Sequence, residues 1–199
     1  DQFYQSDSIK EMKVGFIGFG KVAQHIAKFL SGYGVAFFAH RKRTNIPVDF
    51  QMGNCNVEFI DFKSVLRKSD ILFITVPLTT LTKNMISESE FKLMKETAYL
   101  INVARGAIIN EKSLFEALKN RRISGAAIDV WYNETYQKGE KKYPSKKYPF
   151  EQLENIVLSP YRAGYIKNRT PHLTGAIENL ILYAKEKRIE NVVDINAGY

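Results

Sequence analysis

The sequence predicts an α/β fold, a doubly wound parallel sheet with helices on both faces in three αβα layers. Three observations lead there. Short apolar, β-branched or aromatic runs recur along the chain, and several are continuous rather than alternating, as strands covered on both faces should be. Helical patterns lie between them, giving the order βαβα. The chain has 199 residues, 45% apolar and 25% charged, a balance that suits one well-filled core and argues against disorder.

The strand candidates, in order, are Lys13 to Ile17, Val35 to Ala39, Val57 to Ile60, Ile71 to Val76, Ala98 to Asn102, Gly125 to Val130 and Ile156 to Leu158. The first helix candidate is Lys21 to Ser31, with Val22, Ala23, Ile26, Ala27 and Leu30 at helical spacing. Phe62 to Lys68, Glu88 to Lys95 and Glu111 to Asn120 follow. Pro171 to Arg188 reads as a long amphipathic helix, because proline suits a first turn and Ile177, Leu180, Ile181 and Ala184 share one face. Tyr136 to Phe150 differs from the rest. It carries Lys-Lys-Tyr-Pro twice, at 141–144 and 146–149, and is expected to be a locally duplicated, solvated surface loop.

The chain has a single cysteine, Cys55, which forms no internal disulfide and stands in no metal-binding spacing, so no metal is expected and a cytoplasmic protein is. The apolar run Ile71 to Leu78 is far shorter than the roughly 18 residues of a membrane span, and the Asp-Gln-Phe-Tyr start has no signal-peptide form. The reading is a soluble, unexported chain without a membrane partner. The net charge of +8 suggests an anionic partner. Arg41-Lys42-Arg43 holds three of those charges, and Tyr136 to Phe150, with five lysines and Glu140, holds four. A nucleic-acid binder would spread basic residues along a face with interleaved aromatics, so this concentration argues against nucleic acid.

Gly18-Phe19-Gly20-Lys21-Val22-Ala23 follows the first strand and opens the first helix, matching G-x-G-x-x-G/A. The first glycine permits the tight turn, the second lets backbone approach a pyrophosphate, and the small third residue packs helix against strand. Free N–H groups at the helix start then face the phosphates. About 20 residues on, where an acid would bind the adenosine ribose, stand His40, Arg41, Lys42 and Arg43. A guanidinium there favours a 2′-phosphate through a charge-assisted pair, so NADP(H) is preferred over NAD(H). NAD binding beside a solvated basic turn is the alternative.

Four further segments end strand candidates: Val76-Pro77-Leu78-Thr79-Thr80-Leu81-Thr82, Asn102-Val103-Ala104-Arg105-Gly106, Gly125 through Asp129 to Glu134, and Leu158-Ser159-Pro160-Tyr161-Arg162-Ala163-Gly164. Ligands bind at such ends in open α/β sheets. In this order the segments resemble the D-isomer-specific 2-hydroxyacid dehydrogenases, from Ile9 to about Tyr199, but only the cofactor-binding, Rossmann-type part of that family. The resemblance implies that Arg105 binds a substrate carboxylate and polarises its carbonyl, a task suited to a two-point guanidinium. It implies Asp129 near the nicotinamide amide, and Glu134 as the carboxylate that orients a histidine. It makes Val76, Pro77, Thr82, Val103, Ala104, Ala163 and Gly164 cofactor-lining positions. It further implies a small 2-oxo acid substrate of the glyoxylate or hydroxypyruvate kind, and a homodimer formed through the cofactor domain.

The sequence departs from the family in two ways. The family's proton-carrying histidine, in Thr/Ser-Pro-His, is here Tyr161, and His25, His40 and His172 stand elsewhere in the pattern. Histidine titrates near 6.5 and tyrosine near 10, which makes tyrosine a poor base and an acid only where its surroundings help. Two readings stay open: Tyr161 donates a proton to a reduced carbonyl, helped by Arg162, or the site is altered. The second departure is length, because the Gly-rich motif starts 17 residues from the beginning and the family's substrate domain is expected to be absent. The whole chain 1–199 is therefore expected to be a dinucleotide-binding domain, with a core sheet over 12–165 and a C-terminal helix and tail over 166–199. Its function is either that of a hydride-transferring oxidoreductase or that of a catalytically inactive cofactor-binding or partner-binding module derived from one.

Overall fold

The first strand, β1 (Lys13–Ile17), is buried along most of its length, and its side chains sort by parity onto the two faces of a sheet. A computed structural model of the protein describes residues 8–42, 56–132, 145, 147–164, 171–190 and 192–193. In it β1 lies inside a sheet of seven parallel strands in the order β3-β2-β1-β4-β5-β6-β7. The others are β2 (Ala36–His40), β3 (Val57–Phe59), β4 (Ile71–Ile74), β5 (Tyr99–Asn102), β6 (Gly125–Ile128) and β7 (Ile156–Leu158). The chain winds outward from β1 to β3, crosses back to β4 beside β1, and then winds the other way. The reversal leaves a crevice beyond the C-terminal ends of β1 and β4, which is where doubly wound sheets place their ligands.

Helices α1 (Lys21–Leu30), α2 (Phe62–Lys68), α3 (Glu88–Phe91) and α4 (Glu111–Lys119) connect the strands. Val14, Phe16, Phe37 and Ala39 form one core layer with Ala23 and Ala27 of α1. Ile17, Phe38, Leu72, Ile74, Leu100 and Ile128 form the other, under Val65, Leu66, Leu114 and Leu118 of α2 and α4. The doubly wound, three-layer prediction is what the structure shows, with shorter elements. The second strand begins and ends one residue later than the apolar run suggested, so that His40 belongs to it. Helix α3 stops at Phe91 instead of Lys95, and its end unwinds through Leu93 N–H to Glu90 and Met94 N–H to Phe91 carbonyl bonds. Its start is fastened by Ser87, whose N–H and hydroxyl both donate to Glu90 Oε2, at 3.0 and 2.6 Å.

Burial sharpens the reading at three places. Val22 was expected on the buried face of α1, yet it is 56% exposed, because it lies at the edge of the face that Ala23, Ile26, Ala27 and Leu30 turn toward the sheet. Coverage on both faces, expected of several strands, does not extend to the outermost strand β7, where Val157 is 65% exposed. The C-terminal end of the expected solvated loop is anchored: Phe150 is 1% exposed, Ser145 is buried, and the Tyr148 ring lies 5.2 Å from that of Phe115 of α4, tilted by 32°. Burial of two aromatic rings outweighs the polarity of their lysine neighbours. Residues 136–144 and 146, the rest of that loop with its first Lys-Lys-Tyr-Pro, lie outside the described residues.

The chain divides into two compact units, Asp1–Pro160 and Tyr161–Tyr199. The first holds the whole sheet and α1 to α4. The second holds helix α5 (Pro171–Glu186), on which Ile177, Leu180 and Ile181 are exposed. Asn179 closes its end by exchanging two 3.0 Å hydrogen bonds with the backbone of Glu190.

Candidate functional site: a dinucleotide cradle at the switch point

Gly18 follows β1 with φ +88°, a left-handed conformation that L side chains avoid. A Cβ there would also stand 2.8 Å from Val76 Cγ1 and 3.0 Å from the Thr75 carbonyl. The glycine is thus needed twice, once for the turn and once because the loops after β1 and β4 touch at the switch point. The Gly18 N–H donates to the His40 carbonyl at 2.8 Å, and the Thr75 hydroxyl donates to the Gly18 carbonyl at 2.8 Å. One residue of the turn is therefore tied to β2 on one side and β4 on the other. Thr75 escaped the sequence reading, and its signal is only a hydroxyl at the end of an apolar strand.

Gly20 is the N-cap of α1, and no side chain caps the helix there. A Cβ on Gly20 would meet nothing within 4 Å. Ala23, the small third position, is fully buried in the core layer. Lys21 and Val22 begin the helix on its exposed side. An open helix N-terminus, a glycine beside free space and a buried alanine at the correct spacing fit a pyrophosphate held by backbone N–H groups.

The basic end of β2 lies beside β3. His40 Nδ1 is 3.3 Å from the Ile60 carbonyl, and its ring meets Phe62 edge-on at 5.8 Å. Arg41 lays its guanidinium over the Phe59 ring, 4.3 Å from the centroid. Lys42 is exposed at the bend that follows, and Arg43 lies outside the described residues.

On the far side of the crevice, Thr82 folds its loop by donating to the Pro77 carbonyl at 2.6 Å and accepting the Thr79 N–H at 2.8 Å. Buried Asn102 shapes the next loop. Its Oδ1 accepts the Ala104 N–H and its Nδ2 donates to the Arg105 carbonyl, both at 3.0 Å, so Val103 and Ala104 arch over it and Arg105 is carried outward, exposed. A Cβ on Gly106 would lie 2.6 Å from the Trp131 carbonyl oxygen. Only glycine lets the Arg105 loop pass this close to the loop after β6.

Asp129 leads that loop and is 8% exposed. Its N–H donates to the Asn102 carbonyl at 3.0 Å, and its Oδ1 accepts the Ser159 hydroxyl at 2.6 Å. Trp131 Nε1 donates to the Ser159 carbonyl at 2.9 Å. Ser159 therefore organises the Asp129–Trp131 loop, a role the sequence showed only as membership in a motif. Burial first, and the charge of Glu111 second, raise the Tyr132 hydroxyl above the ordinary tyrosine range, so it keeps its proton across the working pH range. Glu134 lies outside the described residues. Tyr161, Arg162, Ala163 and Gly164 belong to the second unit, and Tyr161 itself is in the left-handed region with φ +54°.

The first unit thus brings together the loops of Gly18, Val76, Arg105 and Asp129 at one edge of a parallel sheet. The NAD-binding domain of the D-isomer-specific 2-hydroxyacid dehydrogenases matches residues 1–163. The chain belongs to this family. Glyoxylate reductase from Thermococcus litoralis is 33% identical over 187 residues, 94% of this chain and 53% of that protein. This NAD-binding domain accordingly spans about half the length of the curated relatives it matches. Among solved structures, an acyclic imino acid reductase in complex with NADPH and D-Arg superposes with a TM-score of 0.80 at 26% identity, over 96% of this chain and 56% of its own. The NAD-complexed D-isomer-specific 2-hydroxyacid dehydrogenase of Lactobacillus delbrueckii ssp. bulgaricus superposes with a TM-score of 0.77 at 27% identity, over 96% and 58%. Among the described residues of the domain, no helix is long and apolar enough to cross a membrane.

Proposed function

We propose that this chain is the cofactor-binding half of an NADP(H)-preferring oxidoreductase acting on a small 2-oxo or 2-hydroxy acid of the glyoxylate or hydroxypyruvate kind. The observation that carries the reading is the cradle at the switch point, where Gly18 makes the turn, Gly20 opens α1 onto free space and Ala23 is buried, while Gly106 lets the Arg105 loop pass close to the loop that Asp129 leads, at the same end of the sheet. Bound nicotinamide dinucleotide supplies or accepts the hydride. The Gly20–Ala23 turn binds the phosphates, and Val76, Pro77, Thr82, Val103 and Ala104 line the cofactor. Asp129, oriented by Ser159, holds the carboxamide end. Arg105 pairs with the substrate carboxylate through two parallel N–H donors. Tyr161 donates the proton to the carbonyl oxygen as it is reduced, and Glu134 stands at the family's position for the carboxylate that orients a histidine.

The preference for NADP(H) rests on Arg41, Lys42 and Arg43 standing where an acid would repel a 2′-phosphate. Titration of the protein with NADPH and NADH, followed by nucleotide fluorescence, is expected to show tighter NADPH binding; equal or tighter NADH binding refutes the preference. Turnover is read as loss of NADPH absorbance with a panel of 2-oxo acids. A second reading, a non-catalytic cofactor-binding module, is favoured by tyrosine at the family's histidine position. Tight NADPH binding with no turnover, in this chain and in any longer natural form, would select it. Assembly as a homodimer through this domain is read from sedimentation equilibrium, where a species at twice the 22.8 kDa chain mass is expected. The same reading places the protein in the cytoplasm.

A further inference from the structure

We propose that Phe59, on the edge strand β3, is a positioning residue for cofactor selection: its ring is the shelf that holds the Arg41 guanidinium in one orientation for the 2′-phosphate of NADP(H). The proposal rests on the NADP(H) reading of Arg41 given above. It adds a residue from a different strand that takes no part in the glycine motif or the basic cluster.

The placement follows from register. Phe59 pairs with Ala39 in the parallel β2–β3 ladder, so Arg41, two residues beyond Ala39, leans across to the neighbouring strand. Its Cζ lies 4.3 Å from the Phe59 centroid, within the range of a cation–π contact. The other side of the shelf is also fixed. Phe59 meets Phe19 at 5.5 Å with the rings 85° apart, and Phe19 meets Phe16 at 5.5 Å and 71°. Phe19 is the residue between the two glycines of the phosphate turn and is buried, as is Phe16 of β1. A continuous run of rings therefore links the pyrophosphate turn to the guanidinium at the ribose end.

Phe59 is itself 41% exposed, an open position for so large an apolar ring. Covering a guanidinium accounts for its placement in a way that core packing does not. A free arginine side chain has many rotamers and loses that freedom when it grips a phosphate. One already resting over a ring loses less, and the saving appears as affinity. NADH has no 2′-phosphate, so the shelf acts on NADPH alone.

The test measures Kd for NADPH and NADH on the 199-residue chain with Phe59→Leu, Phe59→Tyr, Arg41→Ala and the Arg41→Ala/Phe59→Leu pair. Phe59→Leu keeps apolar bulk against Phe19 but removes the ring face. It is expected to weaken NADPH about three- to tenfold and leave NADH within about twofold, while Phe59→Tyr restores wild-type NADPH binding. In the Arg41→Ala background Phe59→Leu is expected to add nothing. Equal weakening of both nucleotides, or of neither, overturns the shelf. Phe59→Met gives the same readout if the leucine variant does not fold. Wild-type protein that fails to prefer NADPH removes the cofactor reading and the shelf with it. A wild-type preference that Arg41→Ala abolishes and Phe59→Leu preserves removes the shelf alone.

Discussion

Gly18 and Gly20 stand two positions apart and answer to different forces, so their alanine variants should behave differently. Gly18→Ala places a Cβ at φ +88° and 2.8 Å from Val76, combining backbone strain with overpacking, and should cost about 1–3 kcal/mol of stability together with cofactor affinity. Gly20 has φ −89° and open space where a Cβ would go. On the proposed function, Gly20→Ala should leave the thermal midpoint near wild type while weakening NADPH and NADH alike, since both would bring a pyrophosphate to its backbone. Differential scanning fluorimetry with and without nucleotide separates the two outcomes; a large loss of stability in Gly20→Ala would show that its role is structural. Both glycines were legible in the sequence because a turn motif is local. Thr75, which pins the turn, and Ser159, which orients Asp129, were not, because a serine or threonine hydroxyl carries no mark of the carbonyl or carboxylate that it will reach across the sheet.

Among the elements, α4 shows how strongly local chemistry sets boundaries. Asn110 Oδ1 accepts the Ser113 N–H at 3.0 Å, capping the helix that follows the Arg105 loop in the chain. Asn110→Ala should lower stability by about 1 kcal/mol in urea denaturation, with cofactor selectivity unchanged. Shortened elements such as α3 record the opposite case, where Ser87 and Glu90 begin a helix that lacks the length to continue. Parallel strands also need fastening at their N-terminal ends. There Asp70 accepts the Lys13 N–H at 2.8 Å and pairs with Lys95 at 2.6 Å, joining β1 and β4 to the turn that enters β5. Desolvation opposes its charge, but the Lys95 hydrogen bond, the Lys13 N–H and the two lysine charges together hold the Asp70 carboxyl below the usual carboxylate range. A lowered folded pKa means that this stabilisation is fully present above the unfolded value, near 3.9, and is lost as pH falls through the folded one. The stability difference between wild type and Asp70→Asn should be constant at neutral pH and shrink below about pH 4 in acid titrations; a difference that persists at low pH would mean the carboxylate charge is not its source.

For the molecule as a whole, the seven-stranded order explains why distant segments act together. Crossing back from β3 to β4 sets the first and fourth loops against each other, and the close pass of Gly106 by Trp131 does the same for the Arg105 and Asp129 loops. Under the proposed function, Gly106→Ala should therefore reduce stability and, by displacing the loop that carries Arg105, raise the KM for the 2-oxo acid by a larger factor than the Kd for NADPH. The sequence by itself determined the βαβα order, the turn after β1, the start of α4 at Glu111 and the absence of an acid at the end of β2. Each of these depends on residues a few positions apart, where backbone geometry and side-chain periodicity are already complete. Tertiary structure alone decided that Arg41 lies on Phe59, that Tyr148 and Phe150 draw the end of a lysine-rich loop into the core, and that Val22 and Val157 face outward. Those outcomes depend on which strand pairs with which and on which surface a neighbour leaves uncovered, and a run of residues carries no information about a partner that folding has yet to bring beside it.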